Sequence, residues 1–223
     1  MRIEIGYRPG QALARCCLEA GESVTAEAGA MVGCSGNVRM QTQAGGLMGG
    51  LRRMLGGESF FRNTFVAEGG PGEVLLAHGL CGDMTELPVT PQGWYLQNGA
   101  FVASSPHVRV EPALGGLRGF FSGAGFFVLR ATAEAPGVLL VGGFGGLFEL
   151  ECRDDLLIDT GHLVAWEASL QYSIGKAASG WIASFLSGEG LVCRFRGRGR
   201  VLLQTRNPVE YGKAVGRKLP AAG

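Results

Sequence analysis

One short pattern occurs three times in this chain, and it limits what the chain can fold into. Gly57-Glu58-Ser59-Phe60-Phe61, Gly123-Ala124-Gly125-Phe126-Phe127 and Gly188-Glu189-Gly190-Leu191-Val192 each begin with Gly, place a small residue two positions on, and end in two apolar residues. Each leads into a strand-like run, a turn and a second apolar run: Val74-Leu75-Leu76, Val138-Leu139-Leu140 and Val201-Leu202-Leu203. The first glycines stand 66 and 65 residues apart. A second landmark recurs with the same order. Gly29-Ala30-Met31-Val32, Gly99-Ala100-Phe101-Val102 and Gly161-His162-Leu163-Val164 each follow a polar residue two places before the Gly, namely Glu27, Gln97 and Asp159.

These landmarks divide the chain into three units, 1–77, 78–142 and 143–208, forming a single body over 1–208, with 209–223 expected as a disordered tail. A unit of about 65 residues buries too little surface to be secure alone, whereas stacked units share a core. Within a unit the strand signal is period-2 alternation. Phe127, Leu129, Ala131 and Ala133 alternate with Val128, Arg130, Thr132 and Glu134, and Cys193 and Phe195 alternate with Arg194 and Arg196. Residues 12–18 are expected to form an edge strand. Gly137 and Gly197-Arg198-Gly199 are expected to be hairpin turns. The 39 glycines carry no Gly-X-Y period and fall between apolar runs, as turns in an all-β protein do. The expected fold is therefore all-β, with three pseudo-symmetric repeats of a small antiparallel β-sandwich about a pseudo-threefold axis.

Between its two landmarks each unit carries a Gly-rich apolar connector. Leu47, Met48, Leu51, Met54 and Leu55 in the first, and Trp181, Ile182, Phe185 and Leu186 in the third, have spacings that place them on one face of a short helix. Leu117, Phe120 and Phe121 belong to the second. Three equivalent connectors on one face would form an apolar surface of the size that marks a partner or a membrane. These twelve residues are the interaction candidates.

Together these motifs resemble the Altered Inheritance of Mitochondria 24 family. The resemblance rests on Gly21-Glu22-Ser23-Val24, Glu27-Ala28-Gly29-Ala30-Met31-Val32, Gly57 to Phe61, Asp159-Thr160-Gly161-His162-Leu163-Val164-Ala165 and Ser187 to Leu191, in order over residues 18–208. It implies a sandwich of the kind seen in the trp RNA-binding attenuation protein, a relative of the double-stranded β-helix. It implies no catalytic set.

Formal net charge is +1, so no global field steers the chain to nucleic acid or an anionic surface. The six cysteines form no CxxC pair and are expected to be reduced thiols of a cytoplasmic protein. Met1-Arg2-Ile3-Glu4-Ile5 lacks a long apolar stretch, so no signal peptide is expected, and no run of 18 apolar residues is present. His78, His107 and His162 lie apart from metal-ligand spacing. Asp159 and His162 could couple as orienter and base, but no nucleophile motif accompanies them. Glu58 and Glu189 fit turn chemistry. Gly142-Gly143-Phe144-Gly145-Gly146 lacks the Lys of a phosphate loop. Arg194, Arg196, Arg198 and Arg200 form the one basic run and are the candidates for RNA or another anion. No cofactor or metal site is expected. The sequence points to a non-enzymatic interaction or scaffold protein, homo-oligomeric and peripheral to a membrane surface or a hydrophobic partner. The alternative is a small-ligand or RNA-binding module of the attenuation-protein type.

Overall fold

The computed structural model describes residues 1–42, 62–113, 127–176 and 191–219. The chain is almost entirely antiparallel β. Its strands are β1 (Arg2–Gly6), β2 (Leu13–Leu18), β3 (Ser23–Glu27), β4 (Met31–Cys34), β5 (Val38–Thr42), β6 (Arg62–Ala67) and β7 (Gly72–Ala77), then β8 (Met84–Val89), β9 (Trp94–Gln97), β10 (Phe101–Ser104), β11 (Arg109–Pro112), β12 (Val128–Thr132) and β13 (Gly137–Gly142). The remainder are β14 (Leu147–Cys152), β15 (Asp155–Asp159), β16 (Leu163–Glu167), β17 (Gln171–Lys176), β18 (Leu191–Arg196) and β19 (Gly199–Gln204). One helix follows, α1 (Pro208–Gly216).

The same pairing scheme occurs three times along the chain. In the first unit β7 pairs with β2 and β4, and β6 with β3 and β5. In the second β13 pairs with β8 and β10, and β12 with β9 and β11. In the third β19 pairs with β14 and β16, and β18 with β15 and β17. Even an irregularity recurs: the register slips by one residue between Met31 and Gly33, Phe101 and Ala103, and Leu163 and Ala165.

Two further ladders join the units. β10 pairs with β3, and β16 pairs with β9. The result is four sheets, ordered β1-β2-β7-β4, β5-β6-β3-β10-β13-β8, β11-β12-β9-β16-β19-β14 and β15-β18-β17. Three hydrophobic cores lie between successive sheets. Ala14, Leu18, Val24, Phe65 and Leu76 fill the first, Leu96, Phe101, Leu129, Leu139 and Val141 the second, and Trp166, Cys193, Phe195 and Val201 the third. The two inner sheets therefore carry core on both faces. β10 is buried along its whole length, and neighbouring Leu139 and Leu140 enter different cores.

That layering accounts for several departures from the sequence reading. Clean alternation holds in β18, on an end sheet, where Cys193 and Phe195 are buried while Arg194 and Arg196 are exposed. It fails in β12, on an inner sheet: Leu129 and Ala131 enter the second core, yet Val128 is also buried, in the third. The turns at Gly137 and at Gly197-Arg198-Gly199 are not hairpins. β12 and β13 lie in different sheets, as do β18 and β19, so each turn is an arch between layers. The ladders between consecutive strands are β1–β2, β5–β6, β11–β12 and β17–β18, and the facing ends of the last three flank the three connectors. Within residues 12–18, expected as an edge, β2 (Leu13–Leu18) is an interior strand, and β1 takes the edge beside it. The pseudo-threefold arrangement would need a third junction, between β4 and β15. Among the described residues these strands make no ladder, and each ends its own sheet. The units are joined in a row.

The linkers between units are zipped by backbone bonds: Ala12 N–H donates to Gly82 O at 2.9 Å, Asp83 N–H to Gly145 O at 2.8 Å and Thr205 N–H to Gly146 O at 2.9 Å. Gly82 is required there, since a Cβ would stand 2.0 Å from Gly143 O. Asp83 is buried and takes both forks of the Arg8 guanidinium, at 2.8 and 2.9 Å, while its Oδ1 accepts from Met84 N–H. Of the segment expected as a disordered tail, residues 209–216 lie in the helix α1, and 220–223 lie outside the described residues. Asn207 Oδ1 caps α1 by accepting from Val209 and Glu210 N–H, Pro208 opens the helix, and Tyr211 stands edge-on to Phe144 at 5.0 Å.

Candidate functional site

Each of the three histidines lies within hydrogen-bond distance of a backbone carbonyl. His162 Nδ1 lies 2.8 Å from Gln204 O, His78 Nε2 2.7 Å from Gly99 O and His107 Nε2 3.1 Å from Pro136 O. Asp159 does not orient His162; its Oδ1 accepts from Gly161 N–H at 2.7 Å and caps the 3₁₀ turn that His162 ends. Thr160 Oγ1 donates to Leu191 O. Among the described residues no three His, Cys, Asp or Glu side chains are grouped so as to hold a metal ion. All six cysteines are free thiols, and burial pushes Cys16 and Cys193 up to about 12. An open depression of about 470 Å³ is lined by Glu22, Ser105, His107 and Val138, but Ser105 Oγ already accepts from Val138 N–H.

The basic run does not form one positive stripe. Arg194 is bonded through both forks to Asp155, with Nε 2.7 Å from Oδ1. This pairing holds the Asp155 carboxyl below its ordinary range. Arg200 belongs to another sheet, donates to Glu167 Oε1 at 2.8 Å and lies 5.1 Å from the Trp94 ring centroid. Arg196 and Arg198 are exposed and form no ion pair among the described residues. Phe195, the aromatic residue between Arg194 and Arg196, is buried and offers no face on which a base could stack.

All twelve connector residues singled out from the sequence (Leu47, Met48, Leu51, Met54, Leu55, Leu117, Phe120, Phe121, Trp181, Ile182, Phe185 and Leu186) lie outside the described residues, as do Glu58 and Glu189.

Of the strands that end the four sheets, β4 and β15 are the two whose counterparts in the other units (β10 and β16, β3 and β9) are paired on both sides. β4 ends the first sheet, and its Met31 and Val32 are 44% and 59% exposed. The residues at the same two places after the recurring glycine are Phe101 and Val102 in β10, and Leu163 and Val164 in β16, all at most 1% exposed. β15 ends the last sheet, and its Leu157 is 41% exposed. β4 carries no charged residue, and an apolar strand with unpaired backbone groups is a template for another strand. The sequence held half of this signal. It aligned Met31-Val32 with Phe101-Val102 and Leu163-Val164, but alternation does not say which copy lacks a neighbour.

The comparisons with known proteins agree with one another. The family model described as mitochondrial biogenesis AIM24 matches residues 3–206. An uncharacterised protein of Streptococcus pyogenes serotype M6 is 31% identical over the whole of this chain and 92% of its own length. A crystal structure of a Streptococcus pyogenes protein, 30% identical, superposes with a TM-score of 0.78 over 98% of this chain and 99% of that one. The strand scheme and these matches lead to one assignment: the chain belongs to the AIM24 family.

Proposed function

We propose that this protein is a non-enzymatic scaffold, a tandem array of three sandwich modules of the attenuation-protein type that works by self-association. One observation carries the reading: among the described residues the row of modules stops at both ends on incomplete sheets, whose edge strands β4 and β15 pair with no further strand and expose Met31, Val32 and Leu157. Inner sheets have six strands and end sheets four and three. The polar groups that could have served catalysis are occupied by backbone partners. Among the described residues no helix is long and apolar enough to cross a membrane; the reading places the protein in the cytoplasm, with any contact to a bilayer peripheral. Light scattering of the purified chain, with and without mild detergent, tests the reading. A discrete oligomer supports it. A monomer at all concentrations, unaffected by detergent, ends it.

A further inference from the structure

The two junctions inside the chain follow one rule. The third strand of a unit pairs antiparallel with the second strand of the unit before it. At the first junction Ala103 faces Ala26 and Ser104 faces Thr25. At the second Ala165 faces Leu96, Trp166 faces Tyr95 and Glu167 faces Trp94. Counted from the recurring glycines, Ala103 and Ala165 are the same position, and so are Ala26 and Leu96. The register is therefore identical at both junctions. Two strands are left over. β4 is a third strand with no unit before it, and β15 is a second strand with no unit after it.

The end sheets are complementary in the same sense. Each six-stranded inner sheet consists of a β5-β6-β3 type half from one unit and a β10-β13-β8 type half from the next. Without the extra strand β1, the first sheet (β2-β7-β4) is a lone half of the second type, and the last sheet (β15-β18-β17) a lone half of the first type. Placed edge to edge they make one six-stranded sheet of the order seen twice within the chain.

We propose that a second copy of this chain docks head to tail, its β15 pairing with β4 in the register Gly33 opposite Ile158, Cys34 opposite Leu157 and Ser35 opposite Leu156. This deepens the self-association reading above and rests on it. The occupant is a second copy because the interface already exists twice, strand for strand, between the chain's own units. Among the described residues the chain's own β15 does not fill the place: the two edges end separate sheets, and no core joins those sheets. Docking would cover Met31, Val32 and Leu157, as Phe101, Val102, Leu163 and Val164 are covered now. Such a contact is heterologous, closing into a ring if the rotation per copy allows and extending as a filament if not.

Cys34 is an exposed free thiol, so the register can be trapped. In full-length Leu157→Cys, mild oxidation of the native protein is expected to carry most of the chain into covalent multimers on non-reducing gels. Peptide mass mapping should find Cys34 joined to position 157, and the multimers should be lost when Cys34→Ser is added. An intrachain bond between these positions, or multimers that persist without Cys34, would overturn the proposal. Light scattering separates the two levels. If Val32→Lys and Leu157→Lys each reduce an oligomeric parent to single chains, the edges are the interface. An oligomer unchanged by both refutes the docking while leaving self-association standing, and a monomeric parent removes both.

Discussion

Three valines at one equivalent position form an internal experiment on the row of modules. Val102 and Val164 sit inside the two junctions and are buried, whereas Val32 is exposed on β4. Val→Ala removes two methyl groups, each worth about 0.8 kcal/mol of transfer free energy. In a packed interior a residual cavity adds to that, for a total of about 2–3 kcal/mol. At Val32 most of the side chain is already in water and no cavity forms, so the cost should stay below about 1 kcal/mol. The three variants should be compared in a Leu157→Lys background, which keeps the β4 edge free of a docked copy. Trp94 and Trp166 are both buried, and their fluorescence reports urea unfolding. Val102→Ala and Val164→Ala should lower the midpoint clearly and alike, and Val32→Ala should barely move it. Equal losses at all three positions would refute the account, because β4 would then be covered within the single chain.

Three other outcomes follow from single contacts. Arg8→Ala leaves Asp83 buried without its cation and should cost about 2 kcal/mol, less than for a fully enclosed pair because the Arg8 side chain is half exposed; Arg8→Lys should recover part of this, and an unchanged denaturation midpoint in Arg8→Ala would contradict the locking role. Burial pushes the Glu27 carboxyl from its ordinary 4.5 up to about 7, so the folded chain holds a proton there that the unfolded chain has released. Stability should therefore fall as pH rises from about 4.5 to about 7, by up to about 3 kcal/mol in total; Glu27→Gln should flatten that fall, and identical pH profiles for the two proteins would contradict it. Native alkylation at pH 8 should modify exposed Cys81, and Cys34 when the β4 edge is free, while Cys16 and Cys193 react only on unfolding; fast native labelling of Cys193 would show the third core to be open.

How far the sequence disclosed the fold depends on what each signal reports. The recurring glycine landmarks placed β4, β10 and β16 in equivalent positions, and alternation in Cys193 to Arg196 named both faces of β18 correctly. Alternation assumes one wet face, so it misread Val128, which lies on a sheet enclosed between two cores. It also says nothing of pairing partners, which is why the arches at Gly137 and Gly197 were expected to be hairpins. A compositional view of the tail missed α1, although Asn207-Pro208 with Glu210 is a helix-start signal that could have been read. The candidate surface was sought in the apolar connectors, the most hydrophobic stretches outside the strands. The edge that the structure exposes looks in sequence like its two buried counterparts. Only the count of units, three third strands against two junctions, distinguishes it.

On the proposed docking, the row of modules ends in two edges that another copy completes. Amide hydrogen exchange over Met31–Cys34 and Asp155–Asp159, followed as a function of protein concentration, tests it most directly. The account predicts that protection in both strands, beyond that given by the β4–β7 and β15–β18 ladders, grows with concentration and approaches that of Phe101–Ser104 and Leu163–Glu167, and that this gain is lost in Val32→Lys. No gain in either strand at any concentration would contradict it, and so would full protection in a dilute single chain.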